Sequence, residues 1–241
     1  MKKLFAAFTL ALVPVLGFAN TGPQTQPAGI DLKDQASLQN GAKYFTSYCI
    51  GCHSLGYMRY NRMARDLGID DANLRKYFLV GDAKPGDLMT RSMRVEDAEK
   101  WFGVPSPDLT LVTRWRSPDW VYTYLKSYYA DPTRPWGVNN VMFPNVAMPH
   151  VLGELQGTQA PVMSHHAGST PVAEGVKPLT AGTLTPAQFD TMIRDITNFL
   201  TYAGEPVQLE RQRLGVYVLM FLGVLFVFAY LMKKEFWKDV H

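Results

Sequence analysis

Cysteine is nearly missing from this sequence, with two residues in 241. Two cannot build a disulfide scaffold, so the fold must rest on a core or on something held within it. Charge is scarce too, at 19% of residues against 47% hydrophobic, which excludes a disordered, charge-solvated chain. Neither sign of charge occurs between Lys3 and Asp31, or between Arg213 and Lys233. The net charge of +3 arises at the two ends, and the stretch between them is neutral overall. Nucleic-acid binding therefore has no compositional support. The length leaves room for one domain, at most two small ones, and excludes a repeat array.

What the ends do have is apolar length. Lys2 and Lys3 precede an uncharged apolar stretch and Gly17-Phe18-Ala19, with small residues where a signal peptidase reads. Residues 1–19 are predicted to be a signal peptide cut after Ala19. Residues 214–232 form a second uncharged run. At about 1.5 Å per residue this run makes a helix of roughly 28 Å, enough to cross a bilayer. It has no polar face, Tyr217 and Trp237 stand at its edges, and Lys233, Lys234 and Lys238 follow it. The positive-inside bias then places the tail in the cytoplasm and the rest outside. The expected plan is a signal peptide at 1–19, an exported domain at 20–210, a linker at 211–213, a transmembrane helix at 214–232 and a cytoplasmic tail at 233–241.

Within the exported part a helix is predicted from Asp34, with Leu38, Ala42, Phe45 and Cys49 spaced by four, three and four. Residues 57–102 alternate helical turns with Gly and Pro breaks, and no sheet is expected there. Ser117-Pro118 marks a helix start, followed by a stripe of Val121, Tyr124, Leu125 and Tyr128. Residues 131–183 are rich in proline and read as long loops. Thr185-Pro186-Ala187-Gln188 is a capping box. The strongest amphipathic pattern in the chain comes next, through Phe189, Met192, Ile193, Ile196, Phe199, Leu200 and Ala203, and Gly204 and Pro206 close it. A few helices on long loops are too little regular structure for a compact domain, which suggests that a bound group fills the middle.

Cys49-Ile50-Gly51-Cys52-His53 is the pattern for covalent haem attachment. Two cysteines at the end of a helix can reach both vinyl groups of one porphyrin, and the next histidine then meets the iron. The motif occurs once, predicting one covalently attached haem c. A zinc site would need four ligands and could only recruit histidines such as His150, His165 and His166. A redox dithiol would need an α/β context that the pattern does not offer. For the sixth iron position Met58 and Met63 lie too close in sequence to reach around the ring. Met89, Met93, Met142, Met148 and Met163 remain, of which Met148 stands in a loop stiffened by Pro144 and Pro149.

The order of leader, haem motif, Pro107-Asp108-Leu109, Ala147-Met148-Pro149, Tyr202-Ala203-Gly204-Glu205-Pro206 and a C-terminal span resembles the cytochrome c1 family, the haem subunit of quinol:cytochrome c oxidoreductase. The resemblance covers nearly all of the mature chain. It implies a mainly α c-type cytochrome haem domain with long loops and one C-terminal transmembrane helix. It also implies His53 and Met148 as axial ligands and Arg114 as the partner of a haem propionate, with Arg116 as a nearby competitor. The implied role is electron transfer from a Rieske iron-sulfur protein to a cytochrome c, beside cytochrome b in a dimeric complex of the bacterial inner membrane, with the haem domain in the periplasm. The turn at 131–137 and the segment at 157–183, with His165 and His166, depart from the family's usual pattern. Rival readings are a tethered cytochrome serving another oxidase or reductase, a haem peroxidase or gas sensor with an open sixth position, and a zinc-binding adaptor. Glu96, Asp97 and Glu99 form an acidic cluster that could meet a basic cytochrome.

Overall fold

The computed structural model describes residues 24–164 and 172–239. The signal-peptide reading and the His165-His166 pair lie outside them. Among the described residues the chain runs α1 (Gln35–Tyr48), β1 (Leu55–Arg59), α2 (Tyr60–Asp66), α3 (Asp71–Tyr77), β2 (Leu88–Met89), α4 (Val95–Phe102), α5 (Val112–Arg116), α6 (Pro118–Lys126), β3 (Tyr128–Ala130), β4 (Val138–Asn140), α7 (Gly153–Gln156), β5 (Gln159–Ser164), β6 (Val172–Pro178), α8 (Pro186–Gly204) and α9 (Gln208–Phe236). This is the mainly α domain with long connections and one C-terminal apolar helix that the sequence predicts.

The frame is a crossing of α1 on α8. Asp34 caps α1 by accepting from the Ser37 N–H, and Thr185 and Gln188 close a reciprocal capping box on α8. Leu38, Ala42 and Phe45 face Phe189, Ile193, Ile196 and Phe199, all buried. Gly41 allows the contact, because a Cβ there would lie 2.0 Å from the Asp195 carbonyl oxygen and 2.6 Å from Phe199 Cβ. The Phe45 and Phe199 rings sit 5.8 Å apart just below. α5 and α6 pack on the other flank of α8. Ser117, at φ 88°, makes the sharp turn between them and caps α6 from its side chain. The Tyr122 hydroxyl donates to Asp190 of α8.

Three two-stranded antiparallel sheets correct the expectation of loops. β1 pairs with β2 inside the region read as sheet-free. A two-residue strand carries no alternation to read, and its pairing is fixed by the distant bonds Tyr60 N–H to Asp87 O and Asn61 N–H to Pro85 O. β3 pairs with β4, and within the stretch 157–183, also read as loop, β5 pairs with β6. Pro161, Gly175 and a bulge at Val162/Met163 obscure their period. The hairpin's base is pinned by Gln159 Nε2, which donates to the Lys126 and Tyr128 carbonyls. Tyr128, read as the end of the α6 stripe, belongs to β3 instead, since α6 stops at Lys126.

α9 is 29 residues long, with mean hydropathy 2.5 in its most apolar window and no buried residue. It is long and apolar enough to cross a membrane. Residues 211–213, read as a linker, lie within this helix. Arg211 on its first turn grips Glu205 through both carboxylate oxygens, the second at 3.1 Å.

Candidate functional site

α1 does not simply stop at its end. The Cys49 N–H still bonds Phe45 O, and the Cys52 and His53 N–H groups both bond Cys49 O, at 3.0 and 2.8 Å. One further turn therefore carries both cysteines and the histidine. The thiols are free and half-buried. Burial, helped by the neighbouring Cys52, pushes the Cys49 thiol up to about 12, and burial raises Cys52 as well. A redox dithiol works through a thiol of depressed pKa, so this environment opposes that reading.

His53 is buried, and its Nδ1 lies 2.8 Å from the Pro107 carbonyl. An N–H at Nδ1 must donate there, which leaves Nε2 as a bare lone pair, the arrangement a metal-binding imidazole requires. Burial pulls its pKa down against the opposing Pro107 bond, favouring the neutral form. The segment from Pro107 to Leu109 is stitched to the cysteine turn residue by residue. Leu109 N–H bonds Ser54 O at 2.9 Å, and Gly56 N–H bonds Asp108 Oδ2 at 2.7 Å. Asp108 Oδ1 accepts from the Thr110 N–H and hydroxyl. Arg91 adds a clasp, with its N–H on Ser54 Oγ and its guanidinium on Ser106 O.

Met148 comes from the loop between β4 and α7. Two buried asparagines build that loop. Asn140 Oδ1 accepts from the Met142 and Phe143 N–H groups, while its amide donates to Tyr124 O at 2.8 Å. Asn139 Oδ1 accepts from the Asn145 N–H, and its amide donates to Asp131. Asn145 takes φ 63°, a left-handed turn that asparagine tolerates. Met148 itself is half-buried, with the Tyr124 hydroxyl 3.5 Å from its sulfur. The Tyr124 hydroxyl lies 2.7 Å from that of Tyr128. Burial pushes Tyr124 up to about 12 and Tyr128 higher, so both stay protonated.

The other methionines are engaged elsewhere. Met89 is buried opposite Leu55, Met163 is exposed on β5, and Met142 lines a cavity of about 810 Å³ beside the β5–β6 hairpin. None of Cys49, Cys52, His53 and Met148 lines that cavity. Met93 sits by the cysteine turn, its N–H on Gly51 O. Arg114 lies at the α5–α8 junction, largely exposed, with its guanidinium 3.5 Å from Glu205. Arg116 instead covers the Trp115 and Trp120 rings. His150 lies flat on Tyr128, with ring centroids 4.6 Å apart. Among the described residues no three of His, Cys, Asp and Glu gather as a metal cluster. The donors on hand are two neutral thiols, one bare imidazole nitrogen and a thioether, which fit a covalently held haem.

Sequence reading missed Asn139, Asn140, Arg91 and the role of Tyr124. The adjacent asparagines were a turn-building signal in plain view. Tyr124 was hidden in an apolar stripe, and nothing local marks Arg91.

The Cytochrome C1 family model matches residues 29–240. This chain belongs to the cytochrome c1 family. It is 66% identical to cytochrome c1 of Allochromatium vinosum, with all of both chains covered. Cytochrome c1 of Rhodospirillum rubrum is 28% identical over 86% of this chain and 83% of its own. The ammonia monooxygenase gamma subunit of Nitrosomonas europaea is 43% identical over 89% of this chain and 88% of its own. As a cytochrome c1, the chain is an electron-transport protein of the haem c class.

Proposed function

We propose that this cytochrome c1 is the membrane-anchored, single-haem electron carrier of a quinol:cytochrome c oxidoreductase, taking electrons from the Rieske iron-sulfur protein and passing them to a cytochrome c. The observation that carries the proposal is the bond from His53 Nδ1 to Pro107 O, which aims a neutral imidazole from the same turn that holds both thiols. When bound, the haem supplies a one-electron iron couple, and the chain supplies everything that positions it. Cys49 and Cys52 would hold the porphyrin through thioethers, and His53 Nε2 and Met148 Sδ would be the ligands to its iron. Arg114 would take a propionate, since a guanidinium has donors enough to keep Glu205 as well. α9 would anchor the domain on the outer face, with Lys233, Lys234 and Lys238 on the cytoplasmic side, beside cytochrome b in a dimeric complex. Glu96 and Asp97 need no docking role, because they sit in the first turn of α4, where its dipole favours acids, and lie near Arg94.

The test is Met148→Leu in the complete complex. Covalent haem should survive, the sulfur-to-iron band of the oxidised spectrum should vanish, and carbon monoxide should bind the reduced protein. Met142→Leu and Met163→Leu should leave the spectrum unchanged. A wild-type reduced protein that already binds carbon monoxide would favour a sensor or peroxidase instead, and a Met148→Leu protein that keeps the band would overturn the ligand assignment.

A further inference from the structure

The Met148 sulfur has a placed hydroxyl beside it. Tyr124 reaches it from α6 at 3.5 Å, and Tyr124 is itself held from two directions. Its ring stacks on Trp120, with centroids 5.0 Å apart and planes 9° from parallel. Its hydroxyl meets that of Tyr128 at 2.7 Å. Tyr128 is buried, lies within 3° of parallel to His150, and has its hydroxyl 3.5 Å from the Met148 carbonyl oxygen. Two phenols from α6 and β3 thus bracket the sulfur and the main chain of a single methionine.

A thioether sulfur has two lone pairs, and coordination would use one. We infer that Tyr124, steered by Tyr128, is a positioning residue that donates its hydroxyl hydrogen to the second lone pair of the Met148 sulfur. The inference rests on Met148 being the axial ligand. Its chemistry follows from the direction of the bond. A donor on the sulfur withdraws electron density, and that weakens the ligand's support for the oxidised iron more than for the reduced iron. The bond therefore holds the reduction potential up, in the way outer-shell hydrogen bonds tune metal ligands generally. It also limits the rotamers of an otherwise flexible side chain. No bond forms or breaks in the redox step. One electron enters from the donor protein and one leaves to the acceptor, and the phenolic proton stays on Tyr124 throughout.

The experiment compares wild type, Tyr124→Phe, Tyr128→Phe and Met148→Leu as haem-loaded complexes, by redox titration of the c-type absorption and by the oxidised sulfur-to-iron band. Tyr124→Phe should keep the band at a shifted position and lower the midpoint potential. Tyr128→Phe should shift both the same way by less. Denaturant unfolding reports any purely structural loss, which alone would not move the potential. If Met148→Leu loses the band while Tyr124→Phe matches wild type in potential and band, this inference fails and the ligand assignment stands. If Met148→Leu keeps the band, the ligand assignment itself fails and takes this inference with it. In wild type alone, the shifted methyl resonance of Met148 should move on exchange into D2O, and a resonance that stays put overturns the inference without any variant.

Discussion

Gly41 lies so close to Asp195 across the α1–α8 crossing that a methyl group on it would stand 2.0 Å from the Asp195 carbonyl oxygen. The obstacle is main chain, with Phe199 Cβ 2.6 Å away behind it, so no side chain can swing aside. In Gly41→Ala the better helix propensity returns only about 1 kcal/mol. Overpacking commonly costs about 1–3 kcal/mol and can cost more. Because the clash is with main chain, the cost belongs at the upper end of that range, and the expected net result is a loss of about 2 kcal/mol in denaturant unfolding. A variant as stable as wild type would mean the two helices cross elsewhere.

Phe199 tests the same contact from the other side. Its ring is fully buried, 5.8 Å from Phe45 and 6.1 Å from Tyr202. Phe199→Ala should cost roughly 3–5 kcal/mol, the usual range for an emptied aromatic site. A loss under about 1 kcal/mol in the same assay would contradict this packing.

The two helices of this crossing were legible in the sequence because both announce themselves. Asp34 and the Thr185-Gln188 box mark the starts, and the apolar spacing from Phe189 to Ala203 marks the buried face. The turn that carries Cys49, Cys52 and His53 was legible because its motif is local to five residues. The short sheets were not, because β2 has two residues and its partner lies some thirty positions earlier. The loop that carries Met148 was legible only as a methionine between prolines. What holds it, Asn139 and Asn140 bonding forward along the loop and Tyr124 reaching from α6, depends on pairings that no local period encodes.

Asp108 should prove more than a motif residue. Its carboxylate accepts from Gly56 N–H, Thr110 N–H and the Thr110 hydroxyl, tying the histidine turn to the strand that follows. Asp108→Ala strands these donors, and at the buried Thr110 an unsatisfied polar group costs about 1–3 kcal/mol. The His53–Pro107 bond next to it should loosen as well. The measurable outcome is a lower unfolding midpoint together with partial carbon monoxide binding by the reduced protein. Asp108→Asn should retain more of both properties, and identical behaviour of the two variants would argue against the hydrogen bonds.

Asp195 makes a pH prediction. Burial against α1 raises its carboxyl pKa, against hydrogen bonds from Ser37 and Asn40. Asp34 pushes the same way and Arg194 the other. A carboxyl raised in the folded state contributes stability below the ordinary carboxylate range, and that contribution is lost as pH rises through the raised value. Asp195→Asn keeps an acceptor for the Ser37 hydroxyl, 2.7 Å away, and removes the charge. The variant should therefore gain stability relative to wild type between acid and neutral pH. Parallel stability curves for the two proteins across that interval would show that Asp195 ionises without penalty.

The final prediction concerns the boundary between head and anchor. α9 has no buried residue, whereas the core of the head runs to Ala203 at the end of α8. Ending the chain after Glu210 thus removes no packed side chain. It does remove Arg211 and with it a two-point hold on Glu205, which lowers that carboxyl below its usual range. Arg114 remains 3.5 Å from the same carboxylate. Ion pairs screened by water contribute little to stability, far less than the core supplies. The truncated protein, exported with its leader, should accumulate as a soluble domain with haem attached at Cys49 and Cys52 and with a low-spin spectrum matching the full chain. Aggregated material, or a soluble domain without haem, would show that α9 takes part in folding the head and is more than a tether.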